Sequence, residues 1–482
     1  MRVWMGTILA TLLLMGCAVA ESLSVQASGT LHPFETAQIV VEVPASGVLT
    51  VGVTDGYGEQ QPVVSNLAVN PGQVTLPYEA LSYCGMPLMS GSATLTAQLW
   101  TADGGYLEAT TGVRIGGAEA VLEYALPRSE TYYLDQRESW MVDCGVSGKS
   151  EVVLSIYADA DRTEHVVSVR KSIANQGMFS IPWKGETAEG RVEPGIYWCS
   201  VYRKEQEDRV FTFPLYVEAG APPEETIYLT GELLPGSDDP DELLEKLYAP
   251  LVAVDIEATD HQKIYEEPST KSAVLGTVHG QSQGLEVLET GENFTLVGVW
   301  RHEDGAYIRG YVPSDRLMVV RPFEHYGVVI DKPNQELRVY EYGTLIGKMR
   351  VSTGLMAENK LFRETRAGAF LTTDRMIAFE SKGFTYRYPI RIDGGNLMHQ
   401  LGFRTASQGG FAQQLEELGW KASEGCVRMD YRTDETYTIN AYWIWTHLER
   451  GTKVLWRNFR YSGSVRRCIV QSRRDAYSYM RP

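Results

Sequence analysis

The chain has 482 residues, which is more than one hydrophobic core supports, and this length predicts three or four domains. Its formal charge of −17, from 44 Lys and Arg against 61 Asp and Glu, argues against binding to nucleic acid or to an anionic membrane. Aromatic residues are frequent enough for packed cores, while 46 Gly and 21 Pro indicate many turns. We therefore expect a mainly β, multidomain protein.

Residues 1–20 have the composition of a signal peptide. In "MRVWMGTILATLLLMGCAVA" one arginine precedes an uncharged apolar run that is short for a membrane span. Cleavage after "AVA" is one reading, and a lipobox-like stretch that leaves a lipidated Cys17 is the other. Both predict an exported protein at the cell wall or cell surface, with no transmembrane segment after the signal.

The cysteines cannot all pair within the chain. If Cys17 is removed or lipidated, five remain, so at least one thiol stays free. Cys144 and Cys199 could form a disulfide or be small core residues, and Cys426 could pair with Cys468.

Residues 22–117 and 118–218 each alternate short apolar and polar runs with turn signals, as in "AQIVVEV" followed by "GVLTVGV". This pattern is typical of antiparallel sandwiches, and both modules resemble Ig-like β-sandwiches. Such modules are either spacers or ligand sites. The next stretch, residues 219–248, is rich in proline and acids and predicts a linker that ends in a short helical turn.

Residues 251–320 contain short strands and, near their end, "GYVPSDRL". The order of strands resembles a bacterial SH3-like domain. Residues 325–456 begin with "YGVVIDKPNQELRVYEYG", which predicts a β-hairpin, and continue through a predicted helix near residues 434–450 to an exit strand, "GTKVLW". The tail, residues 457–482, carries seven arginines and one acid, and is either a solvated extension or a segment that binds anionic wall polymer.

Reactive residue types concentrate in this last module, around "ASEGCVRM". A cysteine attacks a carbonyl well only as its thiolate, so Cys426 needs a base, and His399 is the candidate lying upstream in the predicted sheet. Gly425 would let a carbonyl approach and let backbone amides point at an oxyanion. Arg428 could bind a substrate carboxylate or form a structural ion pair.

The order of "GVVIDKPNQELRVYEYG", "TRAGAF", His399, "SEGCVRM" and "GTKVLW" resembles the L,D-transpeptidase (YkuD-type) catalytic domain. The resemblance implies a mixed, mostly β domain in which Cys426 is the nucleophile and His399 the general base. It also implies that the Gly425 and Cys426 amides stabilise the oxyanion, and that Ser423 and Arg428 contact the loop and substrate.

Three features depart from the family pattern. Glu424 replaces a histidine, and a carboxylate beside a thiol raises the thiol pKa unless it pairs with a cation such as Arg428 or Lys421. Gln400 follows His399 where the family usually has glycine. The segment between His399 and Cys426 is long, and it predicts a lid with a helix in "FAQQLEEL".

The resemblance implies an exported peptidoglycan L,D-transpeptidase that forms a Cys426 acyl-enzyme with a stem peptide, releases D-alanine and makes 3-3 crosslinks. We expect no cofactor, and no metal at Cys426, because zinc needs three or four ligands. Two alternatives stay open: an inactive wall-binding protein, and an L,D-carboxypeptidase that uses the same thioester.

Overall fold

The computed structural model describes most of the chain. The described residues are 22–56, 58–117, 120–236, 239–355 and 363–457. The expected signal peptide, Cys17, Cys468 and the basic tail beyond residue 457 lie outside these ranges.

Residues 22–117 form a sandwich of seven strands. These are β1 (Ser24–Ala27), β2 (Ala37–Val43), β3 (Gly47–Thr54), β4 (Gln60–Val69), β5 (Gly72–Tyr78), β6 (Gly91–Thr101) and β7 (Tyr106–Ile115). One sheet has the order β1-β2-β5 and the other β4-β3-β6-β7. Ile39, Val41 and Val43 of β2 face the core, as the alternation in "AQIVVEV" predicts.

Residues 120–218 form a second sandwich. Its strands are β8 (Leu122–Pro127), β9 (Thr131–Tyr133), β10 (Trp140–Val146), β11 (Ser150–Tyr157), β12 (His165–Ile173), β13 (Gly177–Trp183), β14 (Gly195–Arg203) and β15 (Gln206–Glu218). The sheets have the orders β13-β10-β8 and β12-β11-β14-β15-β9. Cys144 and Cys199 lie buried in the core between them as free thiols, so the disulfide alternative is not formed here.

The predicted linker ends in a helix, α1 (Pro240–Tyr248). Asp239 caps it by accepting a hydrogen bond from the Asp241 amide at 3.0 Å, and Pro240 occupies the first position, where no amide donor is needed. Leu247 is fully buried, together with Val329 and Leu455 of the following module. The end of the linker is therefore packed against the C-terminal half of the chain.

Residues 251–320 form a small, nearly closed barrel. Its strands are β16 (Leu251–Val254), β17 (His261–Tyr265), β18 (Val274–His279), β19 (Glu286–Glu289), β20 (Phe294–Trp300), β21 (Tyr307–Pro313) and β22 (Leu317–Val320), with a 3-10 turn at Ser314–Arg316. Five strands form one sheet, β18-β17-β21-β20-β19, and β16 pairs with β22. Val254, Ile264, Val278 and Val297 share its core.

The C-terminal module is built on one large mixed sheet. Its elements are β23 (Phe323–Asp331), β24 (Glu336–Glu341), β25 (Thr344–Ser352), β26 (Gly368–Leu371), β27 (Ala378–Ser381), β28 (Phe384–Arg387), β29 (Ile390–Asp393), β30 (Asn396–Gln400), a 3-10 turn (Ala406–Gln408), α2 (Ala412–Glu417), β31 (Val427–Met429), α3 (Ala441–His447) and β32 (Thr452–Arg457). The sheet order is β26-β32-β23-β24-β25-β31-β30-β29. The predicted opening hairpin is β23-β24, and the exit strand is β32.

The helix predicted near residues 434–450 is shorter than expected. Asp434 accepts hydrogen bonds from the amides of Thr436 and Tyr437, both at 2.7 Å, which forms a turn instead of a helix. Helix α3 begins only after Asn440, whose side chain caps the Trp443 amide at 2.9 Å.

Both sandwiches contact the C-terminal module. The Tyr83 hydroxyl donates to the Thr433 carbonyl at 2.9 Å, and the Cys84 thiol donates to the Tyr431 carbonyl at 3.2 Å. In the second sandwich the Tyr124 ring packs edge-on against Trp445, with 4.9 Å between ring centroids. Within the described ranges, no helix combines the length and the apolar character that crossing a membrane requires.

Candidate active site

The predicted nucleophile and base lie on neighbouring parallel strands. Strand β30 carries His399, and β31 begins directly after Cys426. In the register Met398 pairs with Val427 and His399 pairs with Arg428, which places Cys426 beside Leu397. With strands 4.8 Å apart and a rise near 3.3 Å per residue, the Cα atoms of Cys426 and His399 are about 8 Å apart on a diagonal.

The alternation of side chains puts this pair on one face of the sheet. Met398 and Val427 are fully buried in the core below the sheet. Because successive side chains point to opposite faces, His399 and Cys426 both project from the other side. The sheet therefore brings the two residues together, although 26 residues separate them along the chain.

Contacts on both sides fix the imidazole of His399. Its Nδ1 lies 2.7 Å from the Gln400 carbonyl oxygen, which can only accept, so Nδ1 carries the proton and Nε2 keeps a free lone pair. The rings of Tyr386 and Phe379 pack edge-on against it, with centroids at 4.6 Å and 5.4 Å. Gln400 thus supplies the orienting carbonyl despite its departure from the family pattern.

Both reactive groups are neutral in the resting site. Burial lowers the pKa of His399 to about 4, with the hydrogen bond to the Gln400 carbonyl opposing this shift and the Arg428 guanidinium adding to it. Burial raises the pKa of the Cys426 thiol, and the Leu397 amide and Arg428 only partly offset it. The site therefore holds a thiol and a neutral imidazole rather than a thiolate–imidazolium pair.

This protonation state predicts slow alkylation of Cys426 near neutral pH. Only the thiolate reacts, so the rate with iodoacetamide should rise about tenfold per pH unit and continue to rise beyond the range of an ordinary thiol. Peptide mapping by mass spectrometry, in the Cys84→Ala background, isolates the Cys426 signal. Fast alkylation that is independent of pH at neutral and mildly acidic pH would instead reveal an ion pair.

Hydrogen bonds inside the protein hold the loop before Cys426. Gly425 has φ +124°, and an added Cβ would lie 2.4 Å from Oδ1 of Asn396, so only glycine fits. The Thr365 hydroxyl donates to the Gly425 carbonyl at 2.7 Å. The Ser423 hydroxyl donates to the Cys426 carbonyl and also accepts from the Gly425 amide at 3.3 Å. Ser423 is therefore a loop contact in this state.

Glu424 is paired with cations, but not with those that the sequence suggested. Its carboxylate lies 2.6 Å from the Arg363 guanidinium and 2.5 Å from the Lys382 ammonium. Of the expected partners, Lys421 pairs with Glu364 at 3.4 Å. Arg363 and Lys382 therefore counter the effect of the Glu424 charge on the nearby Cys426 thiol.

The long segment between His399 and Cys426 contains the expected helix, α2. Arg428, the other expected partner of Glu424, instead forms an ion pair with Glu417 at the end of this helix. Gln414 of α2 donates to the Tyr386 hydroxyl at 3.0 Å, and Tyr386 packs on His399. The helix thus contacts both the candidate substrate arginine and the ring beside the base.

Sequence reasoning did not single out Thr365, Asn396 or Gln414. Thr365 opens the quoted stretch "TRAGAF", but nothing in its spacing indicates a contact with the cysteine loop. Asn396 and Gln414 contact the site only because the fold brings β30 and α2 next to it, and no sequence motif around either residue indicates this role.

Residues 325–455 match the family model of the L,D-transpeptidase catalytic domain, YkuD. The C-terminal module of this chain is therefore a YkuD-type catalytic domain, and the match supports a transpeptidase-type function for this module. None of the curated proteins matches the chain.

Three solved structures show weak similarity. An L,D-transpeptidase from Mycobacterium smegmatis has 13% identity and a TM-score of 0.22, covering 46% of this chain and 87% of that one. An L,D-transpeptidase from Mycobacterium tuberculosis H37Rv has 12% identity and a TM-score of 0.23, covering 47% and 87%. Dimeric latent PorU from Porphyromonas gingivalis has 14% identity and a TM-score of 0.20, covering 40% of this chain but only 19% of PorU. TM-scores this low do not establish a shared arrangement.

Proposed function

We propose that the protein is an exported peptidoglycan L,D-transpeptidase that works through a Cys426 acyl-enzyme and forms 3-3 crosslinks. The observation that carries the proposal is the placement of Cys426 and His399 on one face of adjacent strands in a YkuD-type domain, with His399 Nε2 free to accept a proton.

The acylation step begins with a neutral pair. His399 Nε2 takes the proton of the Cys426 thiol as sulfur attacks the carbonyl carbon between the third stem residue and D-alanine. The resulting imidazolium then gives that proton to the amine of D-alanine, the C–N bond breaks, and a thioester remains on Cys426. Because the pKa of His399 is about 4, its imidazolium is a strong acid toward this leaving group.

Transfer repeats the sequence in reverse. The side-chain amine of a second stem attacks the thioester carbonyl, His399 accepts one amine proton, and the proton returns to the departing Cys426 sulfur. An amide between two third residues results, and the enzyme is regenerated. No electrons are exchanged and no cofactor is required.

Backbone amides of Gly425 and Cys426 are the proposed oxyanion donors. The Gly425 amide faces the Ser423 hydroxyl at 3.3 Å, a long contact that a developing oxyanion would replace with a stronger, charge-assisted bond. Arg428 is the proposed substrate contact, and a stem carboxylate would compete with Glu417 for its guanidinium. Helix α2 would then move with the substrate. The basic tail is a second proposed contact, with anionic wall polymer.

The test uses the full mature chain with a disaccharide tetrapeptide, followed by intact-protein and muropeptide mass spectrometry. We expect an adduct equal to the substrate minus D-alanine, together with dimeric muropeptide. An adduct with only tripeptide product would indicate a carboxypeptidase. Binding of the muropeptide by folded protein with neither adduct nor D-alanine release would refute the proposal and favour a wall-binding role.

A further inference from the structure

Three histidines from separate strands of the barrel meet at one point. His261 begins β17, His279 ends β18, and His302 follows β20. Their ring centroids are 4.3, 4.5 and 4.8 Å apart, and one nitrogen from each ring lies within 4.8 Å of the others. This is the only group of three or more His, Cys, Asp or Glu side chains in the described residues whose ligand atoms converge so closely.

A buried carboxylate orients one of the rings. His279 Nδ1 lies 2.8 Å from Oδ1 of Asp393, at the end of β29 in the catalytic module. The Arg366 guanidinium forms an ion pair with the same carboxylate, so Asp393 accepts and His279 Nδ1 donates. The lone pair of His279 Nε2 is then directed away from Asp393. A carboxylate behind an imidazole is the usual arrangement at histidine metal ligands.

A second ring has an unsatisfied nitrogen. His302 Nδ1 is inaccessible to solvent and has no hydrogen-bond partner among the described residues. An orphaned polar atom of this kind costs free energy unless it binds something the protein alone does not provide.

The surroundings leave room for these rings. An added Cβ at Gly394 would lie 2.1 Å from both Cε1 and Nε2 of His279 and 2.5 Å from Cδ2, so glycine lets the backbone pass over the face of this ring. His261 is exposed and lines an open cleft with Asp260, Gln262 and Tyr265. An ion could therefore enter from solvent.

We propose that His261, His279 and His302 bind one Zn²⁺ ion, with a water molecule at the fourth position. Three imidazoles suit zinc, whereas magnesium and calcium require oxygen ligands. Nitrogens bound to a tetrahedral zinc lie about 3.3 Å apart, so small ring rotations from the present spacing, within 4.8 Å, would complete the set. The positive charge of Arg366 is opposed by its ion pair with Asp393.

Zinc at this point would join the barrel to the catalytic module. The His279–Asp393 hydrogen bond already spans the two modules. The same carboxylate accepts from Asn396 Nδ2 at 3.4 Å, and Asn396 lies against Gly425, the residue before the nucleophile. A bound ion would hold His279, and through it Asp393, in place. The ion itself lies outside the proposed chemistry at Cys426.

The test measures zinc binding to full chain that carries no histidine tag and has been stripped with a chelator. Isothermal titration with zinc chloride should show one site per chain, and zinc should raise the melting temperature. His261→Ala and the double variant His261→Ala/His302→Ala should weaken binding by at least about tenfold and remove the thermal shift. Because His261 is exposed, its variant should fold, which circular dichroism verifies.

His165→Ala supplies the matched control, since this exposed histidine lies in the second sandwich and should leave zinc affinity unchanged. Cobalt in place of zinc gives a visible spectrum that reports four-coordinate geometry in the wild type. The proposal is overturned if stripped wild-type protein binds no zinc, or if the His261 variants bind zinc as tightly as wild type. Neither result depends on transpeptidase activity.

Discussion

Cys426→Ala is expected to lower the rate of stem-peptide acylation by more than about 10³-fold and to abolish the protein adduct. Alanine removes the sulfur that forms the thioester, while the neighbouring contacts of Gly425 and Thr365 are made by backbone and hydroxyl groups that the change leaves in place. Intact-protein mass spectrometry and D-alanine release measure the two effects.

Cys84→Ala is the matched control for this variant. Cys84 is also half-buried and free, and burial raises the pKa of its thiol as well. It lies at the contact between the first sandwich and Tyr431, away from strand β30, so the variant should keep the wild-type acylation rate. Equal rates for Cys426→Ala and wild type would rule out a Cys426 thioester.

His399→Gln should lower acylation by about 10²- to 10⁴-fold, which is the usual contribution of a general base. Glutamine can still donate to the Gln400 carbonyl and fill much of the ring's space, but it cannot accept the thiol proton as an imidazole does. Because the wild-type thiol is neutral at rest, the variant should recover activity as alkaline pH ionises Cys426 directly.

The pH profile separates a base from a purely structural residue. If His399 only packs against Tyr386 and Phe379, the variant would lose activity equally at all pH values. Tyr386→Phe keeps the ring that contacts His399 and removes only the hydroxyl that accepts from Gln414. Its acylation rate should therefore fall much less than that of His399→Gln. A comparable loss in both would assign the effect to packing.

Local pattern was sufficient to predict the opening hairpin and the exit strand of the catalytic module. It also nominated Cys426 and His399, because the cysteine loop carries a compact motif, and their roles remain predictions. It failed for the partners of Glu424, since Arg363 and Lys382 reach the loop only through the tertiary fold. It also missed the three-histidine cluster, whose members lie on separate strands with no ligand-like spacing, and it overextended the last helix past a turn at Asp434.

Helix α1 has a practical consequence for dividing the chain. Leu247 fills a hollow over Gly327, where an added Cβ would come within 2.5 Å of the leucine side chain, and it covers Val329 and Leu455. A fragment starting at Leu251 would expose this apolar patch to water and invite aggregation. A fragment meant to fold by itself should therefore start before helix α1. Loss of activity in a shorter fragment would reflect aggregation rather than a missing catalytic residue.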